Sequence, residues 1–419
     1  MAIGYACIHL GDFETKLSTI QLKYYAEEKL IEIINKNLDA FQSILKYNIE
    51  NNIKLFRLSS DIIPLASHPI NTLSWWEIFQ DKFEKLSSLI HENNIRITMH
   101  PGQYTLINSP KEDVVRKSIL DLEYHNKLLK CLNCDNTSKL VLHIGGVYSD
   151  KESAMERFIF NFNKLDNEIK NRLIIENDDK SYTIDDVLYI SSKINIPVVF
   201  DNLHHKLNHS SNNSSNEFEL INKCNQTWKI SDGKQKIHYS QSANNYKNGA
   251  HSKTINSKEF LSFYNNLINK DIDIMLEVKD KNLSAIKCNL LTTEEKQIKY
   301  LEREWAKYKY YVLSNSQSNY NKIRNLLKDK KSYEVIKFYE IIENTMQIEL
   351  SKNSQINSID HIWGYFKSFA DEKERNKYIT LITAYKNNKK SLSAVKNYLY
   401  KLAYNYNVEY LLNSLYFYI

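Results

Sequence analysis

The stretch VVFDNLHH, residues 198–205, decides the fold. Two β-branched valines and a phenylalanine suit a buried strand. The apolar run then stops at Asp201, with His204 and His205 close behind. Working outward, the same pattern recurs. Up to about residue 280, eight short apolar runs appear in order: IGYACI, KLFRLS, IRITMH, KLVLHIG, RLIIEN, IPVVFD, KIHYS and DIMLEV. Between them lie segments with apolar residues at spacings of three and four. Examples are WWEIFQDKFEKLSSLIHENN, VVRKSILDLEYHNKLLKCL, KESAMERFIFNFNKLDNEI and SKEFLSFYNNLINK, with residues 21–49 as a long first helix. Alternating strand and helix implies a parallel sheet, and eight units imply a closed (β/α)8 TIM barrel. An open nucleotide-binding sheet would carry a Gly-rich turn after its first strand, and none is present.

The ends of the runs carry the chemistry. Run three closes on His100, four on His143, five on Glu176, six on Asp201, seven on His238 and eight on Glu277. In a barrel those C-terminal ends form one rim, where active sites sit. His204 and His251 follow in loops that reach the same place. One His or Glu at a strand end is more often a satisfied polar residue than a ligand. His9, His68, His91, His125 and His361 are read that way, and His205 and His209 are left open. Six ligand-type side chains on six consecutive strands point instead to a metal site. Imidazoles and carboxylates without cysteine suit Mn, Zn or Fe. Eight such groups exceed the needs of one ion, so a cluster of two or three divalent ions is expected. Such clusters act on phosphodiesters through activated water.

The rest of the chain sets limits. It has 419 residues and a net charge of +6, from 56 basic and 50 acidic side chains, which permits a polyanionic partner without requiring one. No run is apolar enough to cross a bilayer, and the start, MAIGYACIHLGDF, does not read as a signal peptide. Five irregularly spaced cysteines suit a reducing cytoplasm; the lone pair Cys131 and Cys134 reads as a helix end.

Eight stretches in order resemble the UV damage endonuclease family: GYAC near the start, FRLSSDIIPLASH (56–68), MHPGQY (99–104), LHIGG (142–146), IEND (175–178), FDNLHH (200–205), KIHYS (236–240) and MLEVKDK (275–281). The resemblance implies a monomeric cytoplasmic enzyme acting on damaged double-stranded DNA. It would cut 5′ to cyclobutane dimers and 6-4 photoproducts by metal-activated water, leaving 3′-hydroxyl and 5′-phosphate ends. It assigns the metals, manganese by preference, to His100, His143, Glu176, Asp201, His204, His238, His251 and Glu277. Gln103 and Tyr104 match the pair that fills the gap left by extruded bases, and Tyr5 an aromatic residue of the lesion pocket. His9 stands where members often carry Asn. Catalytic roles fall to Glu176, Glu277 and Lys236. Lys236 shares a strand face with His238, and a bare ammonium there would be repelled by cations. Carboxylation of Lys236 would supply the oxygens that Gly249 lacks, since endonuclease IV has an Asp at that position. Lys229, Lys279 and Lys281 are candidate phosphate contacts. Ser59, Ser60 and Asp61 are candidate supports for ligands or DNA, and Trp75 and Trp76 read as packing. Two other readings share the barrel: an abasic-site endonuclease of the endonuclease IV kind, and a metal-dependent sugar isomerase.

The barrel domain is expected over residues 1–305. YYVLSNSQSNYNK reads as a linker, and residues 320–419 as an all-α domain. HIWGYFKS with YKNNKKSLSAVKNYL resembles the YbgA-like domain, whose function is unknown. The polar loop SSNNSSN (210–216) reads as a mobile tip.

Overall fold

A computed structural model describes residues 1–209, 216–243 and 249–419, so most of the SSNNSSN loop lies outside the described residues. All eight apolar runs form strands: β1 (Ile3–Ala6), β2 (Leu55–Leu58), β3 (Arg96–Met99), β4 (Leu140–His143), β5 (Leu173–Glu176), β6 (Val198–Val199), β7 (Lys236–Tyr239) and β8 (Asp273–Leu276). They run parallel in the order β6-β5-β4-β3-β2-β1-β8-β7. A parallel bridge between Asp201 and His238 links the two ends of that order, which brings the sheet round into a barrel. The His238 amide donates to Phe200 O at 3.0 Å across this seam.

Register fixes which side chains share a level. His143 pairs directly with Glu176, so both point into the barrel at one height. The same alternation separates Tyr5 from that interior. Tyr5 is fully buried on the helix side of β1, edge-on to Phe56, and its hydroxyl donates to Asn48 of the helix Glu27–Glu50. As placed, it offers no surface to a DNA base, unlike the lesion-pocket role implied by resemblance.

Local polar groups explain the helix limits. Asp150 caps Lys151–Lys164, and that helix ends as Leu165 turns extended; Asp166 then caps Asn167–Arg172. The expected helix over 75–94 is interrupted at Phe79 (φ −110°, ψ 22°), which divides Trp75–Ile78 from Gln80–Glu92. Trp75 packs edge-on to Trp76 and against Phe83, as a packing residue should.

Two units separate by their contacts. One comprises residues 1–9, 14–255 and 259–289; the other comprises 10–13, 256–258 and 290–419. The second is helical and has its own core, including Leu313, Ile359, Phe366, Leu399 and Tyr416. The expected linker is absent. Helix Ile298–Asn315 takes in its first half, and Ser316 caps Gln317–Leu326, which takes in the rest, by accepting from the Asn319 amide. The Ser, Asn and Gln that suggested a linker serve as a helix junction. Among the described residues no helix is long and apolar enough to cross a membrane.

Candidate metal centre

The barrel rim gathers six of the eight expected ligands around one carboxylate. Glu176, at the end of β5, is 1 % exposed. Its Oε1 lies 2.9 Å from Nε2 of both His100 and His143, and its Oε2 lies 2.6 Å from His238 Nδ1. Asp201 joins Glu176 and His238 in a second group, so Glu176 belongs to two potential three-ligand sets. His238 Nδ1 is also 3.4 Å from Glu277 Oε1. The other two stand further out. His204 Nδ1 is 3.8 Å from Asp201 Oδ1, and His251 Nε2 is 4.0 Å from Glu277 Oε2.

Neighbouring groups orient these side chains. His204 Nδ1–H donates to Asn177 O at 2.9 Å, so Nε2 is the nitrogen on which a cation could replace a proton. The His100 Nδ1–H donates to Pro101 O at 3.1 Å, so its Nε2 lone pair faces the Glu176 oxygen. Two acceptors that close repel one another unless a proton or cation lies between. Burial holds the His100 imidazole below its usual range, with Glu176 working in the opposite direction. Asp201 divides its two oxygens: Oδ1 accepts from the His204 amide at 2.8 Å and caps Asn202–Leu207, while Oδ2 has no hydrogen-bond partner.

Buried polar atoms without partners mark the site as one suited to a metal. Asp201 Oδ2, His143 Nδ1, His238 Nε2 and Lys236 Nζ are buried with no hydrogen-bond partner, and Glu176 Oε2 and His238 Nδ1 approach to 2.6 Å without hydrogen-bond geometry. Such atoms cost free energy unless something satisfies them. A nitrogen and oxygen donor set of this kind fits divalent cations.

The electrostatics agree. Burial works against the Glu176 anion, but His238, His143 and His100 outweigh it and hold the carboxyl well below its usual range. Burial, with Glu277 and Glu176 adding, pushes Asp201 up to about 6. Despite burial, Asp201 lifts His204 to about 9. Of the three crowded carboxyls, Asp201 is therefore the one left short of positive charge. Lys236 does not supply it: its ammonium is fully buried, and burial, with Arg96 and Arg57 nearby, holds it well below the usual lysine range.

Sequence reasoning missed three residues. Arg57, on β2, pairs with Glu277 at 2.5 Å. Asn177, of the IEND stretch, brackets Asp201: its Nδ2 donates to Asp201 O at 3.0 Å and its Oδ1 accepts from the Asp201 amide at 2.9 Å. Asn202 clamps Ser240 in the same manner, at 3.0 and 2.7 Å. An Arg inside an apolar strand was a legible signal; the asparagines bond to backbone and gave none.

Other expected residues fall in several places. The turn after His100 leaves Gln103 exposed and Tyr104 81 % exposed, pinned beyond by Thr105 Oγ1 donating to Asp121 at 2.7 Å. Lys279 and Lys281 follow β8 on the rim side. Lys229 does not. It precedes β7, beside Asp232, whose carboxylate pairs with Lys139 at the start of β4, so it lies at the opposite end of the barrel. Ser60 supports the His100 backbone, its hydroxyl 3.3 Å from His100 O, and bonds His125 Nε2 at 2.8 Å. His125 is thus a satisfied core residue. His9 bonds Thr15 at 3.2 Å and packs on Tyr47; His205 packs on Phe200, beside His209. Cys131 ends the helix Glu112–Cys131, and both it and Cys134 are free thiols.

Residues 3–309 match the family described as UV-endonuclease UvdE. The chain belongs to that family. Its UV DNA damage endonuclease relative from Clostridium perfringens is 42 % identical over 401 residues, 91 % of this chain and 95 % of that one. One from Bacillus cereus is 38 % identical over 62 % of this chain and 82 % of its own. The crystal structure of SacUVDE superposes with a TM-score of 0.65 at 40 % identity, covering 69 % of this chain and 96 % of that chain. Membership in the UvdE family accounts for the barrel only. Residues 309–419 match a separate family described as a protein of unknown function (DUF1722).

Proposed function

We propose that this UvdE-family enzyme cuts DNA beside UV photoproducts at a divalent-metal cluster. The observation that carries the chemistry is the single carboxylate of Glu176 touching His100, His143 and His238 at once. His100, His143, Glu176, Asp201, His204, His238, His251 and Glu277 would hold two or three ions, manganese in the first instance. When bound, these supply Lewis-acid polarisation of a water and of the scissile phosphate.

The chain's own residues do the rest. Glu176 keeps the two ligand groups at a fixed separation. Asp201 and His204 are oriented by Asn177, and Glu277 by Arg57. Lys236 would serve as a carbamate: a buried amine held neutral can add to carbon dioxide and release a proton to solvent, and the resulting carboxylate oxygens would attract the cations that an ammonium would repel. Intact mass at neutral pH would then exceed the sequence mass by one carboxylate, and Lys236→Ala would abolish the increment. An unmodified mass in an active, metal-loaded sample would refute it.

Gln103 and Tyr104, exposed on a turn that follows directly from His100, are suited to fill the duplex where damaged bases leave the stack. Cleavage 5′ to cyclobutane dimers and 6-4 photoproducts would leave 3′-hydroxyl and 5′-phosphate ends. We take the enzyme to be a cytoplasmic monomer, with all five cysteines free. The barrel domain would span residues 1–305 and the helical domain 320–419. The test is incubation with manganese and labelled duplexes bearing a thymine dimer, an abasic site or neither. Cutting 5′ to the dimer is expected. Cutting at the abasic site alone would reassign the enzyme to the endonuclease IV type, and aldose turnover without cutting to a sugar isomerase.

A further inference from the structure

The net positive charge of this chain lies in its helical part. Residues 290–419 carry 21 Lys and Arg against 14 Asp and Glu, whereas residues 1–289 carry 35 against 36. The barrel that is read as acting on a polyanion is thus nearly neutral, and the unit of unknown role is basic. Long-range attraction for a nucleic acid therefore comes mainly from the helical unit.

Within that unit, one place concentrates cations and rings. Lys309 and Tyr310 lie on the helix Ile298–Asn315, and Tyr320 and Arg324 on Gln317–Leu326. Lys309 Nζ sits 5.1 Å from the centre of the Tyr310 ring and 5.8 Å from that of Tyr410. Arg324 lies 5.7 Å from the Tyr320 ring. Neither cation makes an ion pair among the described residues. Burial lowers the Lys309 ammonium, and the charge of Arg324 adds to the effect, so the two cations feel one another with no anion to offset them. Beside them Tyr365 and Tyr410 stack nearly parallel, 17° apart in plane with centres 6.0 Å apart. Tyr310 donates its hydroxyl to that of Tyr365 at 2.9 Å, which fixes the cluster from beneath. Tyr410 is 37 % exposed, so one ring of the stack reaches solvent.

We propose that this cluster is a binding site for a single DNA strand, with backbone phosphates on Lys309 and Arg324 and a base on Tyr410. Paired cations beside an accessible ring are the two elements that strand-binding surfaces combine. Only the choice of DNA as the polyanion rests on the endonuclease reading. Such a site would hold the strand released beside a nick, or unpaired DNA flanking damage.

The test uses the full chain and a fluorescent, undamaged twelve-nucleotide oligothymidine, followed by anisotropy at several salt concentrations. Lys309→Gln with Arg324→Gln should weaken binding at least about fivefold and flatten the log–log salt slope by about 1.4, the value for two lost phosphate contacts. Tyr410→Ala should weaken binding by about fivefold or more and leave the slope unchanged. Arg324 is exposed, so Arg324→Gln alone should melt as the wild type does, and about half the slope change is then expected. Wild-type affinity and slope in these variants would overturn the proposal, as would a wild-type protein that does not bind the strand. Cutting of dimer-containing duplex, measured in parallel, reports the barrel separately. Strand binding without cutting would defeat the endonuclease reading and leave this site standing.

Discussion

Arg57 and Glu277, separated by 220 positions in the chain, meet at 2.5 Å on the barrel rim with side chains only 12 % and 13 % exposed. Burial alone would raise the Glu277 carboxyl; Arg57, with His238, outweighs it and drives it far below the usual range. Removing one partner of a buried pair leaves the other uncompensated, at a cost of about 3–5 kcal/mol. Arg57→Met should therefore lower the stability of metal-free protein by roughly that amount. Bound cations would stand in for the guanidinium, so the loss should shrink when manganese is added. Urea unfolding with and without metal measures both. An equal loss in the two conditions would mean that Glu277 does not face the metals.

Asn177 holds Asp201 by both backbone groups and orients His204 by its own carbonyl. Asn177→Ala leaves the buried Asp201 amide unpaired, while the Asp201 carbonyl keeps the His205 amide as a donor, and should cost about 1–3 kcal/mol. It should also weaken metal binding about 10- to 100-fold, as loss of an orienting group does. Titration calorimetry decides: unchanged affinity would make the bracket purely structural.

Tyr104 is 81 % exposed, so Tyr104→Ala should change stability by less than about 0.5 kcal/mol. Cutting beside a thymine dimer should fall about tenfold or more, the worth of one stacking contact. Unaltered kcat/KM on dimer-containing duplex would remove Tyr104 from lesion sensing.

His125 offers a pH test away from the ligands. It is fully buried between Ser60 and the Asp121 carbonyl, and burial holds its imidazole below the usual 6.5. The folded protein thus keeps His125 neutral while the unfolded chain protonates it. Its contribution to stability is complete above about 6.5 and is lost as pH falls from there through the folded value. The advantage of wild type over His125→Gln should therefore shrink between pH 7 and pH 5. An advantage that grows on acidification would contradict this.

Strands and rim residues were legible because the apolar runs are short and mostly β-branched, and the third to eighth carry a ligand-type side chain at or near the end. VVFD and LIIE specify both a buried strand and a ligand at its end. The supports were less legible. Asn177 and Asn202 act on backbone atoms, and the partner of Arg57 lies 220 positions away, beyond any local pattern. Strand alternation turns Tyr5 toward Asn48 and the outer helix, a placement that the GYAC stretch by itself does not reveal. Lys229 could have been placed correctly, since a loop that enters a parallel strand lies at the end opposite the rim. The Ser, Asn and Gln around Ser316 were read as a linker because helix caps and loops draw on the same residues.

The count of tightly bound metal ions per chain, wild type against Glu176→Gln, is the most direct test, read by elemental analysis after gel filtration. Two or three ions in the wild type, with more than one lost together in the variant, is the predicted result, because one carboxylate serves both ligand groups. A Glu176→Gln protein that keeps its full complement of metal, or a wild type that holds none and still cuts dimer-containing DNA, would contradict the account.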